Sequence, residues 1–207
     1  MLSLWTSQTR FLPIVTIENA ADAVPLAHAL LDGGIDAIEF TLRTPAALAA
    51  IEAVARAVPQ MALGAGTVSS VADFESAHGA GATFFVSPGF DQSIAHWPIE
   101  KNLLWLPGVQ TASEVMVARR LGFTALKFFP AEAAGGTQTL AALHPVYPEL
   151  RFVPTGSITQ GMVKSYLALK CVLAVGGSWV APKDAIAQKD WARITRLAKE
   201  ARSLESA

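Results

Sequence analysis

The stretch Phe123-Thr124-Ala125-Leu126-Lys127-Phe128-Phe129-Pro130-Ala131-Glu132 decides the fold. It is an apolar, β-prone run that holds one lysine and is closed by a proline. Side chains alternate between the two faces of a strand. Leu126 and Phe128 therefore share one face, and Ala125, Lys127 and Phe129 share the other. Burying an ammonium group is costly, whereas a neutral amine is a nucleophile. Two roles follow for Lys127: an edge-strand lysine that snorkels into water, or a reactive amine facing inward. The rest of the chain favours the second.

Working outward, strand alternates with helix in both directions. Strands are predicted at 12–17, 35–42, 61–65, 83–87 and 103–106 before the lysine strand, and at 151–154 and 171–175 after it. Helices fill the intervals, including a short one around 91–96, and the chain from Asp184 onward is helical. Such alternation implies parallel strands joined by right-handed crossovers. The marked residues at the strand ends are Glu39, Thr67, Pro88, Pro107, Lys127, Thr155 and Gly176, spaced by 28, 21, 19, 20, 28 and 21 positions. That is the period of one βα unit. Eight units predict a (β/α)8 TIM barrel at the short end of its size range. A doubly wound open sheet is the alternative, but no GxGxxG follows the first strand. With no linker or low-complexity segment, residues 1–207 read as one α/β domain.

Composition narrows the function. Hydrophobic residues make up 52% of the 207 residues and charged ones 16%, so the chain is expected to bury a substantial core. The net charge is −1, with no basic block, which argues against nucleic acid or an anionic membrane as partner. The longest apolar stretch, 171–182, is interrupted by Gly176, Gly177 and Ser178 and is too short to span a bilayer. A single cysteine, Cys171, excludes an intrachain disulfide and points to the cytoplasm. His28, His78, His96 and His144 lie at no metal-ligand spacing, so neither metal nor cofactor is expected.

In a barrel of this kind the active site sits at the C-terminal ends of the strands. Alternation in the second strand turns Ala37, Glu39, Thr41 and Arg43 toward the axis. Glu39 is a candidate general base; the plainer alternative is a neutralising ion pair with Lys127. Arg43, just past the strand, can clamp a carboxylate with two hydrogen bonds or stand solvated in a loop. Thr67 follows Gly64-Ala65-Gly66, where glycines permit close approach of a ligand. Thr155-Gly156-Ser157 and Gly176-Gly177-Ser178 end the seventh and eighth strands, where many barrels hold phosphate.

Taken together, EFTLRT at 39–44, GAGTV at 64–68, SPG at 87–89, PGV at 107–109, KFFPAE at 127–132, PTG at 154–156 and GGSW at 176–179 resemble the bacterial 2-dehydro-3-deoxy-6-phosphogluconate (KDPG) aldolases, which belong with the 4-hydroxy-2-oxoglutarate (KHG) aldolases. The resemblance covers nearly the whole chain. It implies a (β/α)8 homotrimer that needs no metal. It implies that Lys127 forms a Schiff base, that Glu39 moves protons, and that Arg43 and Thr67 hold the pyruvate carboxylate. Thr155 matches a position linked to the C4 configuration of the substrate. Gly156, Gly176, Gly177 and Ser178 match the phosphate end.

The expected reaction is cleavage of a phosphorylated 2-keto acid, KDPG, to pyruvate and glyceraldehyde 3-phosphate. The same chemistry on the galacto epimer or on 4-hydroxy-2-oxoglutarate is the alternative. A phosphosugar isomerase and a silent phosphometabolite-binding barrel are more remote ones. One position breaks the family pattern: Ser157 stands where PTGG would place a second glycine. Because serine is strained at positive φ, Ser157 is expected to avoid that region while a preference for phosphorylated substrate is kept. The segment FDQSIAHWP at 90–98 also departs from the pattern and is expected to reshape the rim of the site.

Overall fold

The computed structural model describes residues 9–205. Its strands are β1 (Phe11–Val15), β2 (Ala37–Thr41), β3 (Ala62–Gly66), β4 (Phe84–Val86), β5 (Leu104–Leu106), β6 (Gly108–Val109), β7 (Ala125–Phe128), β8 (Arg151–Pro154) and β9 (Val175–Gly177). The helices between and after them are α1 (Ala23–Asp32), α2 (Ala47–Ala57), α3 (Val71–Gly79), α4 (His96–Glu100), α5 (Ala112–Arg120), α6 (Gly136–Leu143), α7 (Val163–Leu167), α8 (Lys183–Ala187) and α9 (Trp191–Ser203). Every strand pair is parallel.

Hydrogen bonding orders the strands β5-β4-β3-β2-β1-β9 and β6-β7-β8. Two seams join these sheets into one ring. On one side β5 continues into β6 through Pro107, whose carbonyl accepts from the Lys127 N–H at 2.9 Å. On the other, bridges pair Phe152 with Val172 and Thr155 with Gly176. The ring is closed, so this is the (β/α)8 barrel and not the open sheet.

Alternation sorts the side chains into two cores. Leu12, Ala37, Phe84, Val86, Leu104, Leu106, Ala125, Val153 and Ala174 fill the barrel interior. Ile38, Phe40, Leu126, Phe128 and Phe152 lie in the larger core between strands and helices. Ala37 and Ala125 thus plug the barrel beneath Glu39 and Lys127, which point the same way one pleat nearer the C-terminal ends.

Helix starts follow their caps. The Ser70 hydroxyl accepts from the Asp73 N–H at α3. Thr111 and Glu114 form a reciprocal capping box at α5. Two elements differ from expectation. The eighth strand pairs regularly only at Val175–Gly177, because a turn from Leu169 to Val172 occupies the residues just before it. The segment 90–98 forms a short 3-10 turn and α4, and it is drawn to the outer core: Trp97 stacks on Phe74 at 5.4 Å between centroids. None of its residues lines the cavity that holds Glu39 and Lys127, but Phe90, Asp91 and Ile94 line a smaller one of about 290 Å³ with Val68, Ser69 and Ser87 just past the C-terminal ends of β3 and β4. Among the described residues, no helix is long and apolar enough to cross a membrane.

Candidate active site

Lys127 lies on β7 between Gly108 of β6 and Val153 of β8. Its Nζ stands 3.9 Å from Oε1 of Glu39, and the two side chains are 8% and 1% exposed. The amine also lies 5.0 Å from the centre of the Phe129 ring, whose face attracts a cation. Neither carboxylate oxygen of Glu39 has a hydrogen-bond partner among the described residues. Burial therefore pushes the Glu39 carboxyl above the ordinary carboxylate range, and the charges of Lys127 and Arg43 offset this only in part. An unsatisfied buried carboxyl is costly to a fold, and groups perturbed in this way cluster at functional sites.

Gly66 makes room for that carboxyl. A Cβ at Gly66 would lie 2.0 Å from Oε1 of Glu39, and one at Gly64 would lie 2.2 Å from the Phe84 ring. The glycines read as leaving space for a ligand thus leave it for the protein's own side chains.

Arg43 reaches the cavity from the loop after β2, and its Nε donates to Oγ1 of Thr67 at 3.2 Å. Thr67 does not itself line the cavity; it stands behind Arg43 with φ 65°. Thr155 is buried beside Gly176, with its Oγ1 unpartnered, and a Cβ on Gly176 would meet Thr155 Cγ2 at 2.2 Å.

Ser157 contradicts expectation: its φ is 59°, next to Gly156 at 110°. The preceding backbone is pinned, with Thr155 N–H donating to Phe128 O at 3.0 Å and Ala131 N–H to Thr155 O at 2.8 Å. The turn geometry outweighs the preference of a single serine for negative φ.

Glu39, Arg43, Lys127, Thr155, Gly156, Ser157, Gly176, Gly177 and Ser178 line one cavity of about 510 Å³ at the C-terminal end of the barrel. Of the residues given a catalytic, carboxylate-holding or phosphate-holding role in the sequence, Thr67 stays out of it. A larger cavity of about 680 Å³ lies between α5 and the start of β7, on the outside of the barrel, and includes none of these groups. Among the described residues, no cluster of His, Cys, Asp and Glu could hold a metal ion.

The cavity also includes Thr16, Thr41, Phe129, Trp179 and Lys183, which sequence reasoning had not assigned to the site. Alternation had already turned Thr41 and Phe129 inward, so that signal was available. Alternation in the predicted strand 12–17 likewise puts Thr16 on the face of Leu12 and Ile14, whereas Lys183 opens α8 as an ordinary exposed lysine and carried no signal. Lys183, five residues after Ser178, is a third cation lining the cavity, with Arg43 and Lys127.

The chain is similar to known proteins over nearly its whole length. The family model for KDPG and KHG aldolase matches residues 4–197. A 2-dehydro-3-deoxy-phosphogluconate aldolase from Pseudomonas aeruginosa is 41% identical over 194 residues, covering 94% of this chain and 88% of that protein. The crystal structure of a KDPG aldolase from Legionella pneumophila, with pyruvate captured at low pH as a covalent carbinolamine intermediate, is similar with a TM-score of 0.92 at 39% identity, covering 94% of each chain. A Zymomonas mobilis 2-keto-3-deoxy-6-phosphogluconate aldolase with 3-phosphoglycerate gives 0.89 at 42% identity, covering 95% of this chain and 92% of that one.

Proposed function

This chain belongs to the KDPG and KHG aldolase family, and on that premise we propose the reaction its site is arranged to perform. It is a class I aldolase, a carbon–carbon lyase that works through a Schiff base. The proposed substrate is KDPG, cleaved to pyruvate and glyceraldehyde 3-phosphate. The observation that carries this reading is the pairing of one amine with one unpartnered carboxyl, both buried, at the floor of a cavity wide enough for a six-carbon acid.

The amine of Lys127 attacks the C2 carbonyl and, with loss of water, becomes an iminium. The cation draws electrons from the C3–C4 bond. Glu39 accepts the proton of the C4 hydroxyl, the bond breaks, and the aldehyde leaves. The remaining enamine takes a proton at C3 from Glu39, and hydrolysis frees pyruvate and the amine. Arg43, backed by Thr67, holds the substrate carboxylate and fixes C2 against Nζ. The turns at Gly156-Ser157 and Gly176-Gly177-Ser178 take the phosphate, with Lys183 supplying positive charge. Thr155, buried beside the path between the two ends, sets the tolerated configuration at C4.

Residues 1–207 act as one catalytic barrel in this reading. The proposed assembly is a homotrimer: Met116, Leu121 and Val146 expose apolar side chains, as a partner-covered surface does. Light scattering on the purified protein tests that, and a monomer mass refutes it. The lone Cys171, free and buried, supports a reducing compartment, the cytoplasm. Pyruvate release measured with KDPG, with its galacto epimer and with 4-hydroxy-2-oxoglutarate tests the reaction. KDPG is expected to give the highest kcat/KM; no pyruvate from any of the three would refute the proposal.

A further inference from the structure

We propose that the hydroxyl pair of Thr16 and Thr41 reads the hydroxyl at C5 of the substrate, the carbon next beyond the cleaved bond. The proposal rests on the aldolase reading above and goes beyond it. Oγ1 of Thr16 lies 2.8 Å from Oγ1 of Thr41, and both residues line the cavity. Strand register pairs Ile14 with Glu39 and Val15 with Phe40, so Thr16 comes level with Thr41, one pleat above Glu39 toward the mouth. β1 runs between β2, which carries Glu39, and β9, which leads to Ser178. A substrate held by C2 at Lys127, with C4 at Glu39 and its phosphate at the turns, must carry C5 past the end of β1.

Counting protons gives the pair a polarity. Thr41 Oγ1 lies 3.3 Å from the Val15 carbonyl, which can only accept. We assign the single Thr41 proton to that carbonyl, so that Thr41 accepts from Thr16. Thr16 has then given up its only proton, and its remaining lone pairs are open to the cavity. Such a group accepts from a hydroxyl and offers nothing to a carboxylate or phosphate oxygen. The pair therefore suits the middle of the substrate and neither of its anionic ends.

The test runs the reaction in the direction of synthesis. Pyruvate is condensed with D-glyceraldehyde 3-phosphate or with 3-phosphooxypropanal, which lacks the hydroxyl that becomes C5–OH. Losing one neutral hydrogen bond corresponds to roughly a tenfold change in kcat/KM. Thr16→Val is expected to lower kcat/KM about that much for glyceraldehyde 3-phosphate only. Thr16→Ser, which keeps the hydroxyl, is expected to restore the discrimination, and pyruvate trapping on the enzyme should not change in either variant. Equal losses for the two aldehydes, or no loss for either, would overturn the proposal. If instead the natural protein traps no pyruvate, the aldolase reading itself fails and this inference falls with it.

Discussion

The Nζ of Lys127 and Oε1 of Glu39 stand 3.9 Å apart in the closed end of the cavity, beyond hydrogen-bond length yet within reach of an ion pair. A pair built only for neutralisation would close that gap and satisfy the carboxylate. Here both oxygens of Glu39 stay unpartnered, which leaves the carboxyl available to a substrate hydroxyl held between the two groups.

Glu39→Gln removes the proton acceptor and keeps the shape. Turnover should fall by about 10²–10⁴-fold, as for loss of a general base. In the natural protein Glu39 must be ionised to accept a proton, so the rate falls as pH drops through its pKa. Burial raises that pKa, and the acid limb of kcat/KM should lie above 4.5, the ordinary value. A pH–rate profile of the two proteins checks this; a limb unchanged in Glu39→Gln would assign it to another group.

Gly66→Ala tests the same carboxyl from the neighbouring strand. The added methyl would lie 2.0 Å from Oε1, so Glu39 must move. Turnover should drop by at least about tenfold, the scale for displacing a catalytic group. Circular dichroism should show the barrel intact. Full activity would mean that Glu39 needs no fixed position.

Ser157→Gly relieves a non-glycine residue at φ 59°. Left-handed backbone costs about 1–2 kcal/mol for an L-residue, and glycine returns about 0.4–1 kcal/mol through the freer unfolded chain. The variant should be more stable by about 0.5–1 kcal/mol, a rise in Tm of about 1–4 °C for a chain of this size. Thermal melting measures it, and a lower Tm would show that the serine hydroxyl contributes more than the strain costs.

Lys183→Ala removes a cation that lines the cavity with the proposed phosphate turns. KM for phosphorylated substrate should rise several-fold, and the effect should shrink with added salt, because Lys183 is exposed and screened. The unphosphorylated substrate should show no change. Equal effects on both substrates would place the lysine outside the phosphate site.

Much of this was readable beforehand because the barrel imposes two simple periods. Strand alternation alone turns Ala37, Glu39 and Thr41 inward, and the βα repeat brings Lys127, Thr155 and Gly176 to one end. What escaped depends on backbone details that neither period encodes. Ser157 adopts positive φ because the bonds of Thr155 and Ala131 pin the turn before it. Gly66 faces a carboxylate from the adjacent strand, a relation set by register. In the 90–98 segment Phe90, Asp91 and Ile94 stay by the ends of β3 and β4, whereas Trp97 finds Phe74 and packs in the outer core, a split that neither period shows. Lys183 stands at the first position of the short helix α8, where chain spacing says little about which way a side chain turns.

The central claim is that Lys127 is the amine that binds the keto acid. Incubation with pyruvate and borohydride, followed by mass spectrometry of the digested protein, measures it directly. The account predicts one reduced pyruvate adduct, on the peptide containing Lys127, and none in a folded Lys127→Ala variant. An adduct on another lysine, or one that persists in the alanine variant, would contradict it.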